Sequence, residues 1–159
     1  MTSSPVKPPR AGDVAPDFNI PSTSGVNVML SSFRDQKHVL LAFFPAAFTR
    51  VCTVELCAFG TDFDAFTNAN VQVFPISVDA IPSLKEYRNK FDMKVDLLSD
   101  FRREVSRAYG VLREDTFASE RAYFLIDTSG IIKWAHVEDA TVNRRENDEI
   151  LSIIKAEVG

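Results

Sequence analysis

The sequence predicts an α/β fold in which a mixed central sheet carries helices on both faces. Residues 38–44 and 71–78 are continuous β-branched and aromatic runs, typical of strands buried on both sides of a sheet. A helical pattern separates these two runs. Two later runs, residues 122–127 and 131–137, flank a short loop that contains glycine, which predicts an antiparallel hairpin. Alternating strands and helices followed by a hairpin indicate both parallel and antiparallel pairing.

The elements before and after the first buried strand follow from local patterns. Residues 15–20 are extended, residues 21–25 supply turn residues, and a short strand is expected near residues 28–30. After the buried strand, one helix begins near Cys52, because its apolar residues recur at three- and four-residue steps on one face. These residues are Leu56, Phe59, Phe63 and Phe66.

The second half of the chain predicts shorter elements. A helix is expected over residues 82–91, where Pro82 suits the first turn, and Leu97 and Leu98 indicate a brief strand. Residues 103–109 are helical and end at Gly110, a common residue just past a helix end. A final helix is expected over residues 147–158.

One stretch, residues 138–149, is acidic and contains arginines, and we expect a solvated loop without an assigned function there. The overall order of elements is similar to that of the thioredoxin fold. A fold of this kind hosts many functions and by itself identifies none of them.

Length, composition and charge are those of one ordinary globular domain. The chain has 159 residues, of which 45% are hydrophobic and 25% charged, with a net charge of −4. Nucleic acids and anionic membranes attract clustered positive charge, which this composition does not indicate. The most apolar run meets Pro45 after six residues, whereas roughly 20 are needed to cross a bilayer. We therefore expect no nucleic-acid partner and no membrane association.

The first ten residues differ in composition from the rest of the chain. Residues 1–10 are rich in proline, serine and basic residues, which predicts a flexible N-terminal tail, and we expect residues 11–159 to form a single domain. The tail lacks the apolar segment of a secretory signal peptide, so a cytoplasmic protein is expected.

Two cysteines and two histidines limit the kinds of site that the chain can form. Two cysteines are too few for a secreted disulfide scaffold, and in a reducing compartment such a pair favours catalysis. Structural zinc needs four cysteine or histidine ligands at short spacings, whereas His38 and His136 lie far apart. We therefore expect no metal site.

Cys52 occupies a position that favours a reactive thiolate. The buried strand ends at Phe44, Pro45 interrupts its hydrogen bonding, and Cys52 follows in the first turn of a helix. Free backbone N–H groups and the helix dipole stabilise an anion there, which favours a nucleophilic thiolate. Thr49 either offers its hydroxyl to the thiolate and its substrate or caps the helix, and the two roles are compatible.

Cys57 follows Cys52 by five residues, a spacing that separates the two thiols in a helix. Ideal helix geometry places their Cα atoms about 8.6 Å apart, whereas a disulfide needs less than about 7 Å. If both residues are helical in the reduced protein, they can join only when the first helical turns unwind. The alternative for Cys57 is a small apolar residue packed in the core.

The residues around Cys52 resemble the active site of peroxiredoxins. Pro45, Thr49 and Cys52 match the motif Pro-x-x-x-Thr-x-x-Cys, and residues 43–52 are similar to the alkyl hydroperoxide reductase E group. A second cysteine five residues later is instead typical of peroxiredoxin Q, also called bacterioferritin comigratory protein. Further similar stretches follow in the same order as in the family. They are residues 15–18, 97–101, 108–111 and 121–127.

The resemblance implies a role for each matching residue. Cys52 is the peroxidatic cysteine, whose thiolate attacks a peroxide and becomes a sulfenic acid. Thr49 orients the thiolate and the peroxide, and Pro45 shields them from solvent. Arg121 stabilises the thiolate and the developing charge on oxygen. Glu55 forms hydrogen bonds within the framework of the site.

The same resemblance implies a redox cycle and its partners. Cys57 condenses with the Cys52 sulfenic acid to an intramolecular disulfide, which a thioredoxin- or glutaredoxin-like protein reduces. Hydrogen peroxide and organic hydroperoxides are the expected substrates, and Phe44 and Phe48 are hypothesised to form an apolar rim for the latter. No metal, haem or flavin is implied. Relatives form dimers through loops beside the active site, so a homodimer is expected and a monomer stays open.

The sequence leaves three alternatives to this cycle. A one-cysteine peroxidase is recycled by an external thiol, and a redox sensor or holdase signals through oxidised Cys52 without rapid turnover. A thiol–disulfide oxidoreductase is disfavoured because its usual Cys-x-x-Cys pattern is absent.

Overall fold

Five strands form the central sheet, and their order positions every functional element. The computed structural model describes residues 6–159, and the sheet has the order β5-β4-β3-β6-β7. The elements in chain order are β1 (Asn19–Pro21), β2 (Asn27–Met29), β3 (His38–Phe43), α1 (Arg50–Thr61), α2 (Phe63–Asn68), β4 (Val71–Ser77), α3 (Ile81–Lys90), β5 (Leu98–Ser99), α4 (Glu104–Ala108), β6 (Ala122–Ile126), β7 (Ile132–Val137) and α5 (Asn147–Glu157). A 3₁₀ helix, Leu30–Phe33, lies between β2 and β3.

The sheet is mixed, as the sequence predicts. Strand β3 runs parallel to β4, and β4 runs parallel to β5, whereas β6 is antiparallel to both β3 and β7. The short strands β1 and β2 form a separate antiparallel pair. The predicted hairpin is confirmed as β6 and β7, and the predicted thioredoxin-like α/β fold is confirmed as well.

Alternate residues of β3 point into two separate apolar cores. Leu40 and Ala42 belong to one core, which also contains buried residues of α1, α2, α3 and α5. Val39 and Leu41 belong to the other core, to which α4 and the 3₁₀ helix contribute. Helices therefore cover both faces of the sheet, which explains why β3 is apolar at successive positions.

The helix predicted from Cys52 to Phe66 is divided in two. Helix α1 ends at Thr61, and α2 begins at Phe63, with Asp62 between them. The side chain of Asn147, the first residue of α5, donates hydrogen bonds to the carbonyl of Ala58 and to Asp62 Oδ2, at 2.9 and 2.8 Å. The prediction of one helix was wrong because this contact, between residues distant in sequence, holds the break in place.

The N-terminal segment approaches Gly110, the residue after α4. Gly110 has a φ of +66°, and a Cβ atom at this position would lie 2.5 Å from the carbonyl oxygen of Val6. Only glycine fits this close approach without displacing the backbone. Residues 1–5 lie outside the described residues, so the flexible tail over residues 1–10 stays a prediction. Within residues 6–159, no helix is long and apolar enough to cross a membrane.

Candidate active site

The antiparallel register of β3 and β6 brings Arg121 to the end of β3. Phe43 pairs with Ala122, so Arg121 lies beside the point where the chain leaves β3 for the loop that leads to α1. The hydroxyl of Ser119 fixes this approach by donating to the carbonyl of Phe44 at 3.0 Å. Two segments that are distant in sequence therefore meet at one end of the inner strands β3 and β6.

Cys52 lies in the first turn of α1, as the sequence predicts. Helix α1 begins at Arg50, and the side chain of Cys52 is 1% exposed. Thr49 occupies the N-cap position, but its side chain makes no capping hydrogen bond. Its Oγ1 instead donates to the carbonyl oxygen of Ala46 at 2.8 Å. The hydroxyl of Thr49 therefore stabilises the loop before the helix rather than the helix end itself.

A partly buried carboxylate just after β4 supports the same loop. Asp79 Oδ2 accepts hydrogen bonds from the N–H of Ala47 at 2.8 Å and from the hydroxyl of Ser77 at 2.7 Å. Phe48, the next residue of the loop, has a φ of +64°. Because a non-glycine residue rarely adopts this conformation, the surrounding contacts must hold the loop in place.

Arg121 makes a different contact with each of its three guanidinium nitrogens. Its Nη2 lies 3.0 Å from Cys52 Sγ, and its Nη1 lies 2.9 Å from Glu55 Oε1. Its Nε donates to the carbonyl oxygen of Thr141 at 2.9 Å. The side chain is 1% exposed, so these contacts replace water. A buried cation beside the sulfur stabilises a thiolate.

Glu55 and Tyr123 extend this network away from the sulfur. The hydroxyl of Tyr123 donates to Glu55 Oε2 and accepts the N–H of Arg145 at 3.0 Å. Burial raises the pKa of the Glu55 carboxyl, and the Arg121 guanidinium and the Tyr123 hydroxyl oppose that change. Burial also raises the pKa of Tyr123, and the neighbouring Glu55 raises it further. Tyr123 therefore acts as a neutral donor, and its ring stacks on Trp134 at 5.8 Å.

A cavity of about 800 Å³ lies against Cys52 and Arg121. Its lining includes Pro45, Thr49 and Arg50 from the loop and α1, and residues 141–146 from the segment between β7 and α5. Val51, Val54 and Val142 give the cavity apolar surface. The cavity thus combines a buried sulfur, a cation and an apolar rim.

The stretch between β7 and α5 is largely exposed, as expected of a solvated loop, but part of it also contributes to the site. Residues 141–146 form one wall of the cavity, and Glu138 is 5% exposed. Glu138 accepts hydrogen bonds from Arg145 Nε at 3.0 Å and from His136 Nε2 at 2.8 Å. The pair of Glu138 and Arg145 holds the wall in place, while Asp139, Asn143 and Asp148 are exposed. The stretch is therefore both solvated and a wall of the cavity.

The hypothesis of a rim formed by Phe44 and Phe48 is also wrong. Phe44 is fully buried and packs at 6.4 Å from the ring of Tyr87, and Phe48 packs at 4.8 Å from the same ring. Neither residue lines the cavity beside Cys52. The three valines provide the apolar rim instead.

Cys57 lies on α1 but not in the cavity. It is partly buried against the core that contains Leu56, and both cysteines are free thiols. Burial raises the pKa of the Cys57 thiol. Both cysteines are helical, so the separation derived from the sequence applies: about 8.6 Å between Cα atoms, too far for a disulfide.

Three contributors to the site are absent from the sequence-based prediction. Tyr123 lies in a strand whose neighbours are apolar, and the only available signal was that a buried tyrosine needs a partner for its hydroxyl. Thr141 acts through its backbone carbonyl, which no side-chain pattern reveals. Asp79 acts on a loop of a different strand. Within residues 6–159, no cluster of three or more histidine, cysteine or carboxylate residues could hold a metal ion.

Comparisons with known proteins agree with this arrangement. Residues 11–135 match the AhpC/TSA family. The chain is 35% identical over 156 residues to Peroxiredoxin Bcp of Escherichia coli K12, which covers 94% of this chain and 98% of that protein. It is 33% identical to Peroxiredoxin-1 of Gallus gallus, over 91% of this chain and 77% of the other.

Solved structures give the same result. The reduced 2-Cys peroxiredoxin of Plasmodium vivax superposes with a TM-score of 0.87 at 35% identity, over 94% of this chain and 82% of that one. Peroxidoxin BcpB of Mycobacterium tuberculosis superposes with a TM-score of 0.84 at 26% identity, over 94% and 99%. The fold, the cysteine at the helix start and these matches agree, and the chain belongs to the AhpC/TSA family, as a peroxiredoxin of the Bcp type.

Proposed function

We propose that this thiol-dependent peroxidase reduces hydrogen peroxide and organic hydroperoxides through Cys52. Membership of the family makes the chain a peroxidase. The position of Arg121 is the observation that supports Cys52 as the reacting residue. Its Nη2 lies 3.0 Å from Cys52 Sγ beside a cavity that can admit substrate. The charge of the guanidinium favours the thiolate, which is the nucleophilic form of the residue.

In the first step, the Cys52 thiolate attacks the terminal peroxide oxygen and the O–O bond breaks. The sulfur becomes a sulfenic acid, and the leaving alkoxide or hydroxide takes a proton to form alcohol or water. Arg121 stabilises the charge that moves from sulfur to oxygen. Thr49 and Pro45 line the cavity next to the sulfur and orient and shield the reacting atoms.

Glu55 acts in this step through Arg121. Its Oε1 holds Nη1 of the guanidinium at 2.9 Å, which fixes the plane that presents Nη2 to sulfur. Tyr123 and the carbonyl of Thr141 restrain the same pair from two further directions. These contacts keep the Arg121 guanidinium in place while the Cys52 thiolate loses its charge on oxidation and regains it on reduction.

In the second step, Cys57 resolves the sulfenic acid. The Cys57 sulfur attacks the Cys52 sulfur, the S–O bond breaks, and a disulfide and water form. The first turns of α1 must unwind because the two helical residues are too far apart. A thioredoxin- or glutaredoxin-like protein then reduces the disulfide. Such chemistry suits the cytoplasm, a reducing compartment in which both cysteines return to free thiols.

Thiol counting and intact-mass analysis after one equivalent of hydrogen peroxide, without reductant, test this cycle. In the wild type we expect the loss of both thiols without any added oxygen. Cys57→Ser is expected to gain one oxygen, and Cys52→Ser to react slowly. An unreactive Cys52 contradicts the peroxidase assignment. A wild type that gains oxygen and keeps Cys57 as a thiol contradicts the two-cysteine cycle and indicates an external thiol.

A second copy of the chain is the partner that we propose for an exposed aromatic cluster. Phe48 and Phe91 are 48% and 37% exposed, and their ring centroids are 6.5 Å apart. Phe48 belongs to the loop that leads into α1, so the cluster lies beside the site. Covering these two rings in a homodimer would remove apolar surface from water and brace the loop.

A further inference from the structure

A hydrogen bond fastens the first turn of α1 to helix α3. Thr53 follows Cys52, and its Oγ1 lies 2.8 Å from the hydroxyl oxygen of Tyr87. The same Oγ1 donates to the carbonyl oxygen of Thr49 at 2.7 Å. A threonine hydroxyl has one hydrogen, which this second bond uses, so Tyr87 must donate to Thr53. Burial raises the pKa of Tyr87 to about 12, so the phenol keeps its proton at neutral pH.

Tyr87 is a rigid anchor for this bond. Its side chain is fully buried, and its ring packs against Phe44, Phe48 and Phe91, with centroids 6.4, 4.8 and 5.6 Å away. Since close packing fixes the ring, the hydroxyl has little freedom to follow a moving helix.

Further hydrogen bonds connect Thr53 to Thr49, the N-cap residue of α1. The carbonyl oxygen of Thr49 accepts both the N–H of Thr53 at 3.0 Å and its hydroxyl at 2.7 Å. A relay therefore runs from Tyr87 through Thr53 to Thr49 across the turn that carries Cys52. Unwinding this turn breaks the bonds to Thr49 and separates Thr53 from Tyr87.

Of the three residues in the relay, only Thr49 lines the cavity, and it takes part in the relay through its backbone carbonyl. Neither Tyr87 nor Thr53 lines the cavity, whereas Arg121 contacts the sulfur directly. Loss of the relay therefore leaves the groups that face the peroxide in place. Loss of the relay instead makes it easier for the first turn of α1 to open, a step that precedes formation of the disulfide.

We propose that Thr53 and Tyr87 form a latch of positioning residues that keeps the first turn of α1 closed and sets the rate of disulfide formation. This inference rests on the proposed two-cysteine cycle. The step it governs is the attack of the Cys57 sulfur on the Cys52 sulfenic acid, which releases water and needs no further oxidant. A closed latch keeps Cys52 beside Arg121 for the peroxide reaction, and an open one lets Cys57 reach it.

Rapid quenching with thiol alkylation and intact-mass analysis separates the two steps. Tyr87→Phe removes only the donor. Tyr109→Phe is the matched control, because Tyr109 is equally buried but lies in the other core, where its hydroxyl donates to the carbonyl oxygen of Pro16. Loss of one hydrogen bond corresponds to about a fivefold change in an equilibrium. We expect Tyr87→Phe to form the disulfide about fivefold faster, with an unchanged rate of sulfenic acid formation, and Tyr109→Phe to match the wild type.

Variants of Thr53 test whether both residues act through one bond. Thr53→Val removes the hydroxyl and is expected to accelerate the disulfide, whereas Thr53→Ser keeps it and is expected to retain the wild-type rate. The double variant Thr53→Val with Tyr87→Phe should be no faster than Thr53→Val alone. Fully additive effects would overturn the latch.

Hydrogen exchange of the reduced proteins distinguishes failure of the latch from failure of the cycle. We expect amides of residues 50–57 to exchange about fivefold faster in Tyr87→Phe than in the wild type or Tyr109→Phe. Unchanged exchange, together with disulfide formation at the wild-type rate, overturns the latch and leaves the cycle intact. Faster exchange in a protein whose Cys57 stays a thiol after peroxide overturns the cycle, and with it the latch's role in resolution.

Discussion

Arg121 is the residue on which the site depends, because its guanidinium makes three directed contacts at once. Each of its three nitrogens contacts a different group: Cys52, Glu55 or the carbonyl of Thr141. A lysine ammonium is a point charge that cannot reproduce this planar fork. The contact of the guanidinium with sulfur is also desolvated, so its charge acts with little screening.

Replacing Arg121 with lysine should therefore slow the peroxide step. We expect the second-order rate constant for hydrogen peroxide to fall at least about 100-fold, the range found when one preorganised donor is lost. Stopped-flow kinetics of Cys52 oxidation measures it. Arg50→Lys is the control, because Arg50 is exposed at the same cavity and should keep its rate within about threefold. Equal losses in both variants would contradict a special role for Arg121.

The buried pair of Arg121 and Glu55 makes it necessary to separate an effect on chemistry from an effect on stability. Removing one partner of a buried ion pair costs about 3–5 kcal/mol of folding free energy, whereas Arg121→Lys keeps a positive charge beside the carboxyl of Glu55. A low rate in an Arg121→Lys protein that unfolds near the wild-type temperature is therefore a loss of chemistry and not of stability.

The protonation of Cys57 gives the second step a distinct pH dependence. Burial raises the pKa of the Cys57 thiol, and the reduced, closed form is the resting state. Because the protonated thiol predominates below that pKa, the rate of disulfide formation should rise about tenfold per pH unit through neutral pH. It should still be rising at pH 8.5, where an ordinary cysteine is about half ionised. Single-turnover measurements in excess peroxide test this, and a plateau below pH 8 would contradict it.

At the scale of elements, the stretch from β7 to α5 contributes a wall to the cavity that its sequence does not indicate. Glu138 and Arg145 neutralise one another, and the backbone of Arg145 reaches Tyr123. In a sequence, charged residues of this kind indicate a solvated surface. Glu138 and Arg145 are seven residues apart and outside a helix, so no periodic pattern indicates that they pair. The wall of the cavity therefore could not be predicted.

Val142 in this wall gives a prediction about substrate preference. It is 70% exposed and lines the cavity with Val51 and Val54. We expect Val142→Ser to slow the reaction with cumene hydroperoxide by up to about 15-fold, since two methyl groups worth at most about 0.8 kcal/mol each are lost. The reaction with hydrogen peroxide should be unchanged because that substrate has no apolar part.

The control for this prediction is Val26→Ser. Val26 is similarly exposed, at 64%, but lies in the turn between β1 and β2, outside the cavity. Equal slowing with both peroxides, or the same change in the control, would count against an apolar rim at Val142.

The elements that the sequence predicted best are those whose signal is local. Apolar runs identified β3, β4 and β6 because almost all of their residues are buried, and β7 because its residues are buried or partly buried. Cys52 at the start of α1 also followed from local order. The contact between Arg121 and Cys52 did not, since it depends on the register of β3 against β6. The resemblance to peroxiredoxins named Arg121, and only the pairing of strands shows how it reaches the sulfur.

For the whole molecule, the division into two cores separates the moving part from the rest. Cys52 and α1 belong to one core, while α4 and the 3₁₀ helix pack on the opposite face of the sheet. Opening of the first turn of α1 therefore disturbs one side only. Arg121 directly precedes β6 and its Nε bonds the carbonyl of Thr141, and neither contact belongs to α1, so both can keep Arg121 in place for the next turnover.

Assembly is the prediction that belongs to this scale. We expect light scattering after size-exclusion chromatography to give twice the chain mass for the reduced protein. Phe48→Ser should shift it to one chain, because the exposed ring of Phe48 would be covered in the dimer. Val26→Ser should leave the mass unchanged. A reduced wild type that elutes at the mass of one chain at micromolar concentration would contradict the homodimer.

The stacking of Trp134 on Tyr123 has a consequence for observing the enzyme. Trp134 is the only tryptophan of the chain, and its indole stacks with the rings of Tyr123 and His136, with centroids 5.8 and 6.1 Å away. Tyr123 is in turn bonded to Glu55 on α1. When α1 opens, this contact loosens and the surroundings of the indole change. Its fluorescence should therefore report each opening and closing in the unlabelled protein.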